Sequence, residues 1–329
     1  MVSFIRHKFW AFRERGGVKM DILVGYTGFV GQNLNFQHEF TRVFNSKNTK
    51  DAYGMTPDLC VYSGVRAEKF RADNFPIEDL AHIMDTIENI RQIAPKKLVL
   101  ISTVDVIPSV QRADIYEDTH YNSDALTPYG KNRLVLENEV LCLVPAALII
   151  RLPALFGQGL KKNFIYDIIN YVPTMLKKPK FNELLAKEPS IANFYKMDES
   201  SFYRLKPDIK NDDRNCLKKI FVKLGFSALN FTDSRSAFSF YNLKYLWHHI
   251  DIMLENNIQL AHMATEAISV SEIYKAIHGT DFKNEIQDTP FAYHFFKTRH
   301  GRLLGGSDDY IFGKDAVRAE IVDFVKSQI

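Results

Sequence analysis

The stretch "DILVGYTGFVGQNLNFQ", residues 21–37, constrains this chain more than any other. A short β-rich run meets three glycines, Gly25, Gly28 and Gly31, and the chain then continues as a helix. Glycines at G-x-x-G-x-x-G spacing let backbone approach a pyrophosphate, and a helix start offers free N–H groups and a positive dipole end. A lone triplet is weak evidence. Placed between a strand and a helix it predicts a dinucleotide-binding turn, the alternative being a turn that needs glycine for packing alone.

The rest of the first half repeats the alternation. "FTRVFN" and "DLCVYSG" read as strands, and "IEDLAHIMDTIENIRQIA" spaces Leu80, Ile83, Met84, Ile87, Ile90 and Ile93 at a helical period. "KKLVLISTV" reads as a fully apolar strand, as one covered on both faces must be, and "AALIIRLPALFG" reads as another buried strand. The expected fold is α/β: a doubly wound parallel sheet over residues 20–158 and a smaller, mainly helical domain over 159–329, with segments returning to the first. Residues 160–235, rich in Lys, Asn, Phe and Tyr, read as helices and loops.

The net charge of +3 is misleading. Residues 1–19 carry five basic side chains against Glu14, a net of +4, which leaves 37 basic and 38 acidic residues elsewhere, a net of −1. No basic domain remains to hold nucleic acid. Arg-Gly-Gly-Val-Lys before Met20 can be encoded by a purine-rich run resembling a bacterial ribosome-binding site, so translation is expected to begin at Met20. A disordered tail and a basic amphipathic helix striped by Ile5, Phe9 and Phe12 are the alternatives. No apolar run reaches the roughly 20 residues that span a bilayer. Cys60, Cys142 and Cys216 are scattered and odd in number, which fits a reducing cytoplasm and no metal site.

Candidate chemistry collects at strand ends. Ser102, Thr103 and Asp105 follow a buried strand, where open α/β sheets bind ligands. Thr103 could donate to a substrate oxygen or cap backbone, and Asp105 reads as structural. Tyr129 opens a helix in "TPYGKNR", and Arg133 lies one turn on, on the same face. After the second strand, Ser46 and Lys47 stand where an acid would bind a ribose hydroxyl; a lysine there leans toward a 2′-phosphate, hence NADP over NAD, with a polar turn as the alternative. His248, His249 and Asp251 are discounted as a metal set because adjacent histidines on a helix point apart. Lys161 and Lys162 are discounted as a solvated face.

Together the glycines, the Ser102–Thr103 strand end and the Tyr129 helix resemble the extended short-chain dehydrogenase/reductase family, the NAD(P)-dependent epimerase/dehydratase group that acts largely on nucleotide sugars. Thr103 precedes Tyr129 by 26 residues, close to that family's separation, and "IRLPALFGQG" and "FSFYNLKYL" are similar to its later segments. The resemblance implies that Gly25, Gly28, Phe29, Val30 and Gly31 hold the pyrophosphate. It implies that Ser63 and Gly64 pass the cofactor, that Leu152 and Pro153 flank the nicotinamide, and that Asn163 and Arg235 meet the sugar nucleotide. It also implies that Thr103 orients the sugar, that Tyr129 is acid/base, and that homodimers pair through the Tyr129 helix and its neighbour.

Three departures qualify it. Arg133 stands where the family has lysine. Only about 30 residues separate Gly25 from "DLCVYSG", as if a strand and helix on the adenine side were deleted. Ala154 replaces a frequent substrate-binding Asn, and Val104 beside Asp105 disfavours 4,6-dehydration. A tyrosine must drop about three pKa units, ~4 kcal/mol, to ionise near neutrality. A charge ~4 Å away at an effective dielectric of ~20 supplies that much, and one at ~6 Å supplies ~2.8 kcal/mol. The expectation is a cytoplasmic NAD(P)-dependent nucleotide-sugar reductase or epimerase whose Tyr129 is tuned downward by Arg133. The rival is a cofactor-binding sensor or interaction module without turnover.

Overall fold

The computed structural model describes residues 19–108, 114–198, 201–286, 288 and 295–328. Residues 1–18 of the basic leader, read over 1–19, lie outside the described residues.

The first half alternates β1 (Asp21–Val24), α1 (Phe29–Gln37), β2 (Arg42–Phe44), β3 (Leu59–Tyr62), α2 (Lys69–Asn74), α3 (Pro76–Ile93), β4 (Leu98–Thr103), α4 (Pro128–Leu143), β5 (Leu148–Leu152) and β6 (Ala154–Phe156). A later strand, β12, joins the same sheet, whose order is β12-β5-β4-β3-β1-β2 with every pair parallel; β12 spans Leu260–His262. The fold is a doubly wound α/β sheet. Strand β2 forms its edge, and only a short 3₁₀ turn at Thr49–Ala52 lies between β2 and β3. The compressed spacing after Gly25 thus corresponds to a sheet that stops at β2.

Alternation within each strand builds two cores. Leu23, Val61, Val99 and Ile150 face one side; Ile22, Cys60, Leu98 and Ile149 face the other, under Ile83, Ile87, Ile90 and Ile93 of α3 and Leu136 and Val140 of α4. The stripe read on α3 is wider than its buried face. Leu80 and Met84 are exposed, with Ile77, on one helix face. Helix α4 starts sharply because Thr127 accepts from the Gly130 N–H and Pro128 occupies the first turn.

The second half contains α5 (Phe164–Asn170), β7 (Met175–Lys177), α6 (Lys178–Lys187), β8 (Tyr195–Met197), β9 (Phe202–Leu205) and α7 (Asn211–Lys223). It continues with β10 (Ala237–Phe238), β11 (Phe240–Asn242), α8 (Leu246–Glu255), β12, β13 (Ile268–Ser269), α9 (Val270–His278) and α10 (Lys314–Gln328). Where helices and loops were expected, β7, β9 and β8 form a small antiparallel sheet. These strands are too short to show a period of two. They are held by a private core of Leu176, Phe181, Tyr195, Leu217 and Phe221, with Phe181 stacked on Tyr203. This lobe meets α2 through an edge-to-face contact of Phe202 with Phe70.

No helix among the described residues is long and apolar enough to cross a membrane.

Candidate active site at the carboxyl edge of the sheet

The three glycines differ in what demands them. Gly25 has φ +95°, and a Cβ there would lie 2.5 Å from the Gly64 backbone nitrogen. A Cβ on Gly31 would lie 2.1 Å from the Gly25 carbonyl oxygen. Both are therefore fixed by the protein's own packing. Gly28 is not: its φ is −77°, and an added Cβ meets nothing nearer than the Gly25 oxygen at 3.4 Å. Gly28 is also the N-cap of α1, and no side chain caps that helix. An open glycine before an uncapped helix start fits the close approach of a phosphate. Phe29 and Val30 pack their side chains on the core, leaving their backbone at the turn.

The other candidates lie along the carboxyl ends of the strands. Ser63 donates to the Val24 carbonyl at 3.0 Å, so its hydroxyl braces the crossing of Gly25 and Gly64. Ser46 and Lys47 are exposed just beyond β2; the Lys47 N–H is held by Asn45 and its side chain is free of ion pairs among the described residues. Leu152 is buried opposite Thr103 in the β4–β5 register, and Pro153 follows it half-buried.

Tyr129 is 5 % exposed. Its burial pushes the phenol above its ordinary pKa, a push that Arg133 opposes and that Asp105 and Asp79 reinforce. The expected net lowering of Tyr129 is corrected here: Arg133 does pull the phenol downward, and burial outweighs it. The Arg133 Cζ stacks 4.4 Å from the Tyr129 ring centroid, while Nη1 and Nη2 each bond Asp79 at 3.2 Å and Nη2 also donates to the Arg66 carbonyl. The bidentate Asp79 carboxylate offsets a smaller part of that pull.

At the end of β4, Thr103 Oγ1 donates to Asp105 Oδ2 at 3.1 Å and accepts from the Asp105 N–H. The second Asp105 oxygen pairs with Lys69 of α2. Gly130 makes this closeness compulsory, since a Cβ there would lie 2.2 Å from the Asp105 carbonyl oxygen. Helix α2 is seated on the same spot, with Asp73 accepting the Tyr129 N–H at 3.0 Å.

Asn163 and Arg235 are occupied. Asn163 has φ 104° and ψ 176°, a region nearly confined to glycine, and its amide bonds the Leu155 carbonyl and the Tyr166 N–H. Arg235 forms a fork on buried Asp233, at 2.9 and 2.7 Å, which holds that carboxyl well below its usual range. The discounted Lys162 reaches across to the Ala67 carbonyl at 2.7 Å.

A buried polar row escaped the sequence reading. Ser102, Arg151 and His262 are neighbours across β4, β5 and β12. Glu137 of α4 accepts a fork from Arg151 and the Ser102 hydroxyl, and Arg151 Nη1 donates to His262 Nε2 at 3.2 Å. With Nε2 accepting, Nδ1–H donates to the Lys297 carbonyl, so His262 is neutral. The row anchors the Tyr129 helix one residue before Thr103 and Leu152. Its sequence signal is Arg151, a charge inside the otherwise apolar β5.

Burial lowers both His262 and His249 to about 4. Both bind a proton more readily unfolded, so stability is expected to fall as pH drops below ~6.5, levelling only near the folded values. Urea titrations across that range should show the loss, and His249→Phe should reduce it.

No protein-family model matches the sequence, and no curated protein matches it. Solved structures do. A dTDP-4-dehydrorhamnose reductase from Yersinia enterocolitica superposes with a TM-score of 0.61 at 11% identity, over 95% of this chain and 100% of that one. A second such reductase, from Bacillus anthracis in complex with NADP, gives 0.58 at 14% identity, over 95% and 99%. A UDP-N-acetylglucosamine 4-epimerase from Methanobrevibacter ruminantium M1 gives 0.60 at 11% identity, over 94% and 99%. At such identities the likeness establishes the fold.

Proposed function

We propose that the chain is an NAD(P)H-dependent reductase of a keto group on a nucleotide-linked sugar. The observation that carries this reading is Tyr129, a phenol kept neutral by burial at the start of the helix that packs on the end of β4. A neutral phenol is a proton donor, and carbonyl reduction consumes one hydride and one proton. The names of the similar structures, reductases and epimerases of nucleotide sugars and one with NADP bound, support the substrate class and the cofactor.

Gly25, Gly28 and Gly31 with the start of α1 would hold the pyrophosphate, Ser46 and Lys47 the adenosine ribose or its phosphate, and Ser63, Gly64, Leu152 and Pro153 the nicotinamide side. The bound cofactor supplies the hydride. Thr103, whose hydroxyl proton is committed to Asp105, presents an oxygen that accepts from a sugar hydroxyl and so orients the ring. Tyr129 donates its proton to the carbonyl oxygen as that oxygen becomes an alkoxide. Asn163 and Arg235 would meet the nucleotide portion by exchanging present partners, Leu155 and Tyr166 for the first and Asp233, Asp288 and Glu285 for the second.

Epimerisation at the same carbon is the second enzymatic reading. It needs Tyr129 to act first as a base, which its raised proton affinity opposes. A sensor or interaction module without turnover is favoured by the engagement of Arg133 with Asp79. Fluorescence titration with NADPH and NADH, followed by cofactor oxidation assays with nucleotide-linked 4-keto sugars, separates these readings. Binding without oxidation leaves the sensor, and no binding of either cofactor sinks all three.

Gly28→Val is expected to abolish cofactor binding with little loss of stability, because the added side chain enters only the phosphate space. Gly31→Ala should instead destabilise the fold by about 1–3 kcal/mol or more, its Cβ being driven into the turn. Retained binding by soluble Gly28→Val protein would refute the assignment of the turn.

The exposed Ile77, Leu80 and Met84 face of α3 supports homodimers through α3 and α4. Met84→Glu is then expected to give monomers by sedimentation, and an unchanged sedimentation coefficient would count against that pairing.

A further inference from the structure

We infer that residues 172–224 form a cationic flap, hinged at Tyr171 and Gly225, whose Phe202 latches on Phe70 and which a nucleoside diphosphate draws shut. The hinge and the latch are independent of the function proposed above. The ligand that closes the flap rests on that reading.

The lobe is built as a body of its own. Every buried residue of its core lies between Val172 and Phe221, and β7, β9 and β8 make a separate sheet. Its ion pairs, Lys180 and Lys187 on Glu183 and Arg204 on Asp198, are internal. The two chain crossings meet at one neck, where the Ala228 N–H donates to the Tyr171 carbonyl at 2.8 Å. A residue with positive φ stands at each crossing, Tyr171 at 61° and Gly225 at 62°. Hinges are a few element-end residues that absorb a change in backbone angles. Tyr171 ends α5 and Gly225 follows α7, and a Cβ on Gly225 would meet nothing within 4 Å.

The chain before the hinge is tied to the sheet. Asn33 of α1 donates to the Gln158 carbonyl at 2.9 Å, and Lys162 donates to the Ala67 carbonyl at 2.7 Å. Away from the neck, Phe202 of β9 meets Phe70 of α2 edge to face, with ring centroids 5.9 Å apart. Phe70 is 62 % exposed, so the pair is a surface latch and not a shared core. It engages the helix that braces the site, since Asp73, three residues on, holds the Tyr129 N–H. Charge supplies the closing force. Residues 172–224 carry 12 basic and seven acidic side chains, a net of +5. Residues 20–329 together stand at −1, which leaves −6 on the rest of that span. The body that carries the site is therefore acidic, and the flap brings the cations that attract an anion. The proposed substrate offers one in its diphosphate.

The chain carries its own probes for the test. Cys142 on α4 and Cys216 on α7 are exposed and Cys60 is buried, so nitroxide labels fall one on each body. Pulsed double electron–electron resonance then reads the distribution of distances between them. An edge-to-face aromatic pair shifts an equilibrium by roughly 2–10-fold. Phe70→Ala and Phe202→Ala should each raise the population of a second distance by about that factor, and the double variant should add nothing further. Uridine or thymidine diphosphate added to Phe70→Ala should return the distribution to that of the wild type. Phe70 is exposed and lies outside the lobe, so its variant tests the latch even where Phe202→Ala unsettles β9. Distributions of Phe70→Ala and the wild type that coincide overturn the inference. So does a distribution left unchanged by a nucleoside diphosphate that calorimetry shows to bind. If neither diphosphate binds, the substrate reading fails with the closing ligand, while the Phe70→Ala shift still decides the hinge and latch, so the two failures are distinguishable.

Discussion

Arg133→Met is expected to cost the fold about 3–5 kcal/mol, the range for removing one partner of a buried ion pair. Methionine fills much of the volume, so packing is not the main loss. The loss comes from Asp79, whose side chain is 11 % exposed and which would keep only the Asn132 amide at 2.9 Å. The Arg66 carbonyl would lose its donor as well. Arg133→Lys keeps a charge but cannot span both Asp79 oxygens and the carbonyl, so it should fall between methionine and wild type. Asp79→Asn combined with Arg133→Met should recover part of the loss, because no uncompensated charge then remains. Urea denaturation of the four proteins measures this. A loss below about 1 kcal/mol in Arg133→Met would mean that the tie is no more than a surface ion pair.

Arg133 also shows how far the sequence could be read. Parallel strands buried on both faces must be continuously apolar, so β4 and β5 could be located from composition alone. The glycine turn and the start of α4 were legible because each is a local arrangement with local causes. The partner of Arg133 is 54 residues away, on a helix whose polar positions look like ordinary solvent-facing ones. Nothing within one helix distinguishes an aspartate that meets water from one that meets a guanidinium. The same holds for Lys69 and Asp105, 36 residues apart, and for Arg151 and His262, 111 apart. Residue types at the site were therefore visible, while the way they neutralise one another was not. Burial of the phenol, first of all, decides whether Tyr129 gives or takes a proton, and the surrounding charges adjust it.

Tyr129→Phe should lower keto-sugar reduction by roughly 10²–10⁴-fold, the usual contribution of a positioned general acid. It should leave cofactor affinity and stability nearly unchanged. Phenylalanine keeps the ring stacked under Arg133 and the backbone N–H on Asp73, and loses only the hydroxyl with its interaction with Arg133. The pH dependence carries the sharper information. A tyrosine acting as acid must be protonated before the step, and burial holds Tyr129 above its ordinary pKa of ~10. Reduction should thus be level through neutrality and decline only in the alkaline range, above about pH 10. The reverse oxidation, which needs the phenolate, should rise across the same range. Had Arg133 been free to lower the phenol's pKa by three units, both inflections would lie near pH 7 instead. Rate profiles in the two directions locate the inflection directly. A reduction rate that begins to fall near neutrality and is insensitive to Tyr129→Phe would assign the proton to another group. An inflection near neutrality that disappears in Tyr129→Phe would keep the tyrosine but return the tuning role to a cation the structure shows engaged elsewhere.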